Sequence, residues 1–152
     1  MVDLAGRGQF PTSYPLHVIE EAAQAAREGF TKYTPNVGFF SLREKLMCKL
    51  KARSGLDVIP DEIIVTPGAV CGLATLLAAM LDPGDEVLAP DPGWPNYQMM
   101  VIANRGRPVL YPLHRENRFL PDLADLEVLA NQRTKALIVN SPSNPTGAVF
   151  PE

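Results

Sequence analysis

The residues with the clearest chemical capacity lie in one stretch, Ile63-Ile-Val-Thr-Pro-Gly-Ala-Val-Cys-Gly-Leu-Ala-Thr-Leu-Leu-Ala-Ala-Met80. Its three β-branched residues, Ile63, Ile64 and Val65, suit a short strand buried on both faces. Residues 69–81 are apolar nearly all round, the pattern of a helix lying inside a protein. Between them Thr66-Pro67-Gly68 must turn the chain. A helix that starts at such a turn presents unpaired N–H groups and the positive end of its dipole, and Gly68 lets a ligand come close to the backbone. The chemistry on offer is the binding of a phosphate or carboxylate, with Thr66 and Thr75 as sources of hydroxyls. The same residues also fit an ordinary strand-to-helix turn. Two later loops add recognition groups: Pro90-Asp-Pro-Gly-Trp-Pro-Asn96 carries the only tryptophan, Trp94, and Asn140-Ser-Pro-Ser-Asn-Pro-Thr-Gly147 carries Asn140 and Asn144. An anion hole, one large aromatic face and side-chain amides at Asn96, Asn140 and Asn144 suit a flat, phosphorylated ligand.

The elements that must position these groups follow from periodicity and punctuation. Residues 3–14 have too many glycines for a regular element and read as an extended arm. Val18, Ala22, Ala25 and Ala26 predict a helix from Pro15 to about Glu28, stopped at Gly29. An irregular loop follows, with Tyr33 at its centre, and then a helix in which Leu42, Leu46 and Leu50 recur every four residues. Beyond the turn Asp82-Pro-Gly-Asp85, strands are expected at Glu86–Ala89, Pro108–Tyr111 and Ala136–Val139. Helices are expected between them, at Tyr97–Asn104 and after Asp122, which could cap a helix with Leu123, Leu126 and Leu129 on one face. This alternation predicts an α/β fold with a mostly parallel sheet, in which ligands collect outside the carboxyl ends of the strands. Thr66–Gly68, Asp91–Tyr97 and Asn140–Gly147 each follow a strand and fall on that rim, whereas Asp82–Asp85 precedes one and falls on the opposite edge.

Composition narrows the function. With 14 Lys and Arg against 17 Asp and Glu, the net charge is −3, which gives no basic footprint for nucleic acid or an anionic membrane surface. No apolar run reaches the length of a membrane span and the first residues carry no signal-peptide core, so a cytoplasmic protein is expected. Cys48 and Cys71 lack metal-ligand spacing, no metal is expected, and both are read as reduced and structural. The 15 prolines, about twice the ordinary rate, mark boundaries between apolar segments. No Walker, complete dinucleotide-binding, serine-hydrolase or zinc-protease motif is present.

Taken in order, Tyr33-Thr-Pro-Asn-Val-Gly38 with Leu42-Arg43, Thr66-Pro-Gly-Ala69, Asp82-Pro-Gly-Asp85, Pro90-Asp-Pro-Gly-Trp-Pro-Asn-Tyr97 and Ser143-Asn-Pro-Thr-Gly147 resemble the class I/II aminotransferases. The resemblance runs from about residue 6 to the end. It implies pyridoxal 5′-phosphate (PLP) as cofactor, a homodimer, and transfer of an amino group between an amino acid and a 2-oxo acid. The implied fold is the aspartate aminotransferase-like, fold type I large domain. Residues 1–40 would form an arm, helix and dimer-contact loop, and residues 41–152 part of the PLP-binding domain. By position, Gly68, Ala69 and Val70 would hold the cofactor phosphate, Trp94 would stack on its ring and Asn144 would hydrogen-bond the ring hydroxyl. Tyr33 would reach the phosphate of the neighbouring subunit, and the arm at Gly8 would join Trp94 and Asn144 near the substrate. The resemblance also implies cis peptide bonds at Asn144-Pro145 and Asp91-Pro92.

Read without the resemblance, Trp94 could plug the rim of the core, Asn144 could bond its own turn, and Tyr33 could be ordinary surface. The family's Schiff-base lysine falls beyond the Asn-Pro-Thr-Gly motif, and none of Lys32, Lys45, Lys49, Lys51 or Lys135 occupies its motif. The 152 residues therefore read as an N-terminal fragment, inactive alone. PLP-dependent lyases and synthases share these motifs, and a non-catalytic α/β anion-binding module remains the alternative from another class.

Overall fold

The computed structural model describes residues 15–151, so the expected arm and its Gly8 lie outside the described residues. The chain forms two compact units that part between Ile64 and Val65.

The first unit is helical. Helix α1, Leu16–Arg27, ends where Gly29 N–H bonds Ala26 O at 3.2 Å and Phe30 N–H bonds Ala25 O at 3.0 Å, a pair of bonds that satisfies the last carbonyls of a helix. Helix α2, Phe40–Ser54, buries none of the leucines that define its periodicity; its one buried residue is Arg43. The Arg43 guanidinium sits 5.5 Å from the Phe40 ring centroid. It donates to Pro60 O at 2.7 Å and lies 3.1 Å from Asp61 Oδ1. The short 3₁₀ turn Pro60–Glu62 is thereby fastened to α2. Cys48 is exposed on this helix, so the structural role expected of it is not found, although both cysteines are free thiols.

In the second unit, helix α3, Ala69–Met80, leads to strand β1, Glu86–Asp91, helix α4, Asn96–Ala103, and strand β2, Arg107–Pro112. Helix α5, Leu123–Leu129, and strand β3, Thr134–Leu137, complete it. Asp122 caps α5 by accepting from Ala124 N–H at 2.9 Å. The three strands are all parallel in the order β2-β1-β3. Central β1 is buried along its length except at Asp91. Its side chains alternate between two packed faces, as a strand's must. Val87 and Ala89 join Leu77, Tyr97, Met100 and Val101 from α3 and α4, while Leu88 meets Tyr111 and Leu113 on the other side.

Two expectations fail. Ile63–Val65 is not a strand, and Ile64 is 65% exposed. Local propensity made the segment extended, but a ladder needs a neighbour, and among the described residues no strand lies beside it. Helix α3 is not enclosed either: only Leu77 is buried, and Val70, Leu76 and Met80 are exposed. An apolar circumference states what a helix can tolerate, and the sheet and α4 cover only one side of this one.

At the amino ends of the strands, Glu86 is buried at 2% exposure yet fully engaged. Its carboxylate accepts from Asn131 Nδ2 at 2.7 Å and pairs with Arg133 at 3.1 Å and, more loosely, Arg107 at 3.6 Å. Lys135 lies 3.8 Å from Asp85 at the same edge. These residues tie the starts of β1, β2 and β3 together at the edge away from the Pro/Gly-rich loops.

Candidate functional site

Helix α3 packs its Leu77 on β1 and is followed by the turn that enters the amino end of that strand, so its own N-terminus lies at the strands' carboxyl rim. Gly68 opens the helix at φ +86° and ψ 161°, a conformation essentially confined to glycine, with no side chain capping the N–H groups beyond it. The first helical bond is Gly72 N–H to Gly68 O at 3.3 Å. Gly68 N–H is turned back onto Thr66 O at 2.7 Å, so among the described residues the unengaged donors are Ala69, Val70 and Cys71. Three aligned N–H groups at a helix start form an anion cradle. Among the described residues nothing comes within 4 Å of where a Cβ at Gly68 would stand.

Thr66 folds over this turn, its Oγ1 donating to Gly68 O at 3.0 Å. Gly72 makes room for it, since a Cβ there would stand 3.0 Å from Thr66 Oγ1. Gly72 escaped the sequence reading, though a glycine inside an apolar helical run is itself a sign of close packing. Thr75 lies further along, on the exposed part of α3, and does not join the cradle.

Trp94 comes from the loop after β1. Its ring meets Tyr97 edge-on, with centroids 5.4 Å apart and planes at 85°. It packs against the core while staying half-exposed, so the plug and the stacking face are not mutually exclusive. Asn96 begins α4, where it is half-buried.

Asn144 comes from the loop after β3, the neighbour of β1. That loop is built on its own backbone, with Gly147 N–H to Ser143 O at 2.7 Å and Ser143 N–H to Ala148 O at 2.8 Å. Phe150 N–H reaches Ser141 Oγ at 2.8 Å. Among the described residues none of these bonds uses the exposed Asn144 amide. The alternative of an Asn144 side chain bonding its own turn is thus not seen, and the amide is uncommitted among the described residues. Ser143 is buried, its Oγ has no partner among the described residues, and it serves the loop through its backbone. Asp91-Pro92 and Asn144-Pro145 are cis as expected, and Ser141-Pro142 is cis as well.

Burial raises the pKa of Tyr97 above that of a free phenol. Tyr111 is raised by burial first and by the nearby Tyr97 second. Both hydroxyls therefore stay protonated, as donors, at neutral pH. Tyr33 belongs to the first unit, where it is fully exposed.

A family model described as "Aminotransferase class I and II" matches residues 2–152. The chain belongs to the class I and II aminotransferases. It is 45% identical over 148 residues to a probable aspartate/prephenate aminotransferase of Thermus aquaticus, covering 97% of this chain and 38% of that protein. It is 41% identical to an aspartate aminotransferase of Geobacillus stearothermophilus, covering 95% of this chain and 37% of the relative. Among solved structures, a double mutant of Thermus thermophilus aspartate aminotransferase superposes with a TM-score of 0.91 at 45% identity, over 97% of this chain and 38% of that one. The chain thus spans about two-fifths of the length of the curated aminotransferases it matches, and no helix among its described residues is long and apolar enough to cross a membrane.

Proposed function

We propose that this aminotransferase-family chain binds pyridoxal 5′-phosphate at the carboxyl rim of its sheet and serves amino-group transfer between an amino acid and a 2-oxo acid, within a homodimer. The observation that carries the reading is the open cradle of Ala69, Val70 and Cys71 N–H groups behind Gly68, on the rim that also carries the Trp94 and Asn144 loops. The donor set fits the cofactor: backbone N–H groups and a helix dipole suit a phosphate, a half-exposed indole suits an aromatic ring, and an uncommitted amide suits a ring hydroxyl.

In this reading the cradle anchors the phosphate, with Gly68 kept free of any side chain. Trp94 restricts the ring to one plane and keeps water from its face. Asn144 fixes which edge of the ring points into the sheet. Tyr33 would complete the phosphate site of a second copy, and the arm at Gly8 would lie near the substrate. When bound, the cofactor supplies the electron sink for breaking bonds at the amino acid's α-carbon. Lys135, the lysine of the second unit, is held by Asp85 at the opposite edge of the sheet and is not available to this rim.

Titration with pyridoxamine 5′-phosphate, read by the single tryptophan, tests the proposal. Quenching of Trp94 that inorganic phosphate reverses supports it, and Asn144→Ala should weaken pyridoxamine phosphate about fivefold while leaving phosphate binding unchanged. Unaltered Trp94 emission in a folded sample would overturn it.

A further inference from the structure

The carboxyl end of β1 poses a hydrogen-bonding problem that the structure solves with a side chain. Leu88 pairs with Leu137, and Ile138 N–H bonds Leu88 O at 2.8 Å, one residue beyond β3. In a parallel ladder the next bond runs from the N–H of residue 90 to the carbonyl of Ile138. Residue 90 is proline and has no N–H. Tyr111, paired with Pro90 in register on β2, reaches past it and donates its hydroxyl to Ile138 O at 2.9 Å.

We propose that Tyr111 is a positioning residue of the cofactor site, its hydroxyl replacing the donor that Pro90 lacks and thereby stationing the Asn140–Gly147 loop beside the Trp94 loop. The consequence for ring recognition rests on the pyridoxal phosphate reading above, while the consequence for the loop does not. Tyr111 is 1% exposed and sits in the cluster that also receives Phe150, from the far end of the same loop. The loop is therefore fastened to one residue at its start by a hydrogen bond and near its end by packing. Its raised pKa keeps the phenol protonated, so the bond persists across the neutral range. Asn144 lies between these two fastenings, and its amide can meet a ring edge only where they hold it.

Three variants of the whole chain test this: Tyr111→Phe, Pro90→Ala, and both together. Hydrogen exchange without ligand reads the loop directly. Tyr111→Phe should lower protection over residues 138–149 about tenfold and leave Val109 in β2 unchanged. Adding Pro90→Ala restores a backbone donor at the right place and should return protection to within about twofold of wild type. Affinity for pyridoxamine phosphate should follow the same pattern, falling about fivefold in Tyr111→Phe and recovering in the double variant, with inorganic phosphate affinity constant throughout. A general packing defect would not be rescued at Pro90. Exchange in Tyr111→Phe equal to wild type, or a double variant as loose as the single, overturns the proposal. Should Tyr111→Phe fail to fold, the comparison of Pro90→Ala with the double variant decides, because Tyr111→Phe should then cost little. If wild type binds no pyridoxamine phosphate, the cofactor reading falls, and the exchange result still decides the strut.

Discussion

Replacing Gly68 by alanine separates the anion cradle from the fold that carries it. At φ +86° and ψ 161° a residue with a Cβ is strained by about 1–3 kcal/mol even though the added atom meets nothing within 4 Å. For a chain of this size that corresponds to a fall in melting temperature of roughly 3–10 °C. If the backbone relaxes to relieve the strain, the Ala69 N–H is the first donor to be re-aimed. Losing one hydrogen bond to a charged oxygen costs about 1.5–3 kcal/mol, a weakening of phosphate binding by about 10- to 150-fold. Gly84 is the matched control, with φ +91° and open space around it, but it lies in the turn before β1 on the opposite edge. Thermal melts with and without phosphate make the comparison. Both variants should melt lower than wild type, and only Gly68→Ala should lose the stabilisation that phosphate confers. Gly68→Ala with an undiminished phosphate effect, or Gly84→Ala without one, would refute the assignment of the cradle.

Glu86→Ala should destabilise the second unit by about 1–3 kcal/mol, since Arg107 and Arg133 are about two-thirds exposed and regain water while the buried bond to Asn131 is lost; Glu86→Gln, which keeps an acceptor for Asn131, should lose about half as much in urea unfolding. At alkaline pH the raised pKa values of Tyr97 and Tyr111 mean that the folded chain keeps protons the unfolded chain has released. Their contribution is complete below about pH 10 and is lost as pH rises through the folded values. Unfolding curves that are superimposable from pH 8 to pH 11 would contradict this.

The elements that could be read in the sequence were those that their own residues punctuate. Asp122 marked the start of α5, Gly29 the end of α1, and Pro and Gly the loops that leave β1 and β3, because a cap or a missing N–H acts within a few residues of itself. What escaped depends on partners far along the chain. Ile63–Val65 has the propensity of a strand, but whether it pairs is decided by a neighbour its own side chains cannot name. The all-apolar pattern of α3 gave no hint of which side the sheet would cover. Glu86 read as the polar start of a strand, yet it is the buried hub of a network whose other members, Arg107, Asn131 and Arg133, lie 21 to 47 positions later. Within the site, Gly68, Ala69 and Val70 were legible as a turn and helix start, whereas the engagement of Gly68 N–H with Thr66, and the resulting place of Cys71 among the donors, required coordinates.

The excess of proline acquires a physical explanation at the carboxyl rim. Pro90, Pro92 and Pro95 crowd the end of β1, Pro112 ends β2, and Pro142 and Pro145 follow β3. Pro90 removes a backbone donor inside the ladder, where β1 still pairs with β2, and the others remove donors at or beyond the strand ends, where the loops are free to take other shapes. The same removal leaves carbonyl oxygens without strand partners, and a buried carbonyl left unpaired costs about 1–3 kcal/mol. At Ile138 the deficit is met by the Tyr111 hydroxyl, while on the other side of β1 the ladder with β2 runs on regularly to the bond from Leu113 N–H to Asp91 O at 2.7 Å. Both donors come from β2 or its continuation. The edge strand that carries none of the recognition groups thus holds the ends from which the Trp94 and Asn144 loops depart, and a change in β2 should reach the site without touching any residue that contacts a ligand.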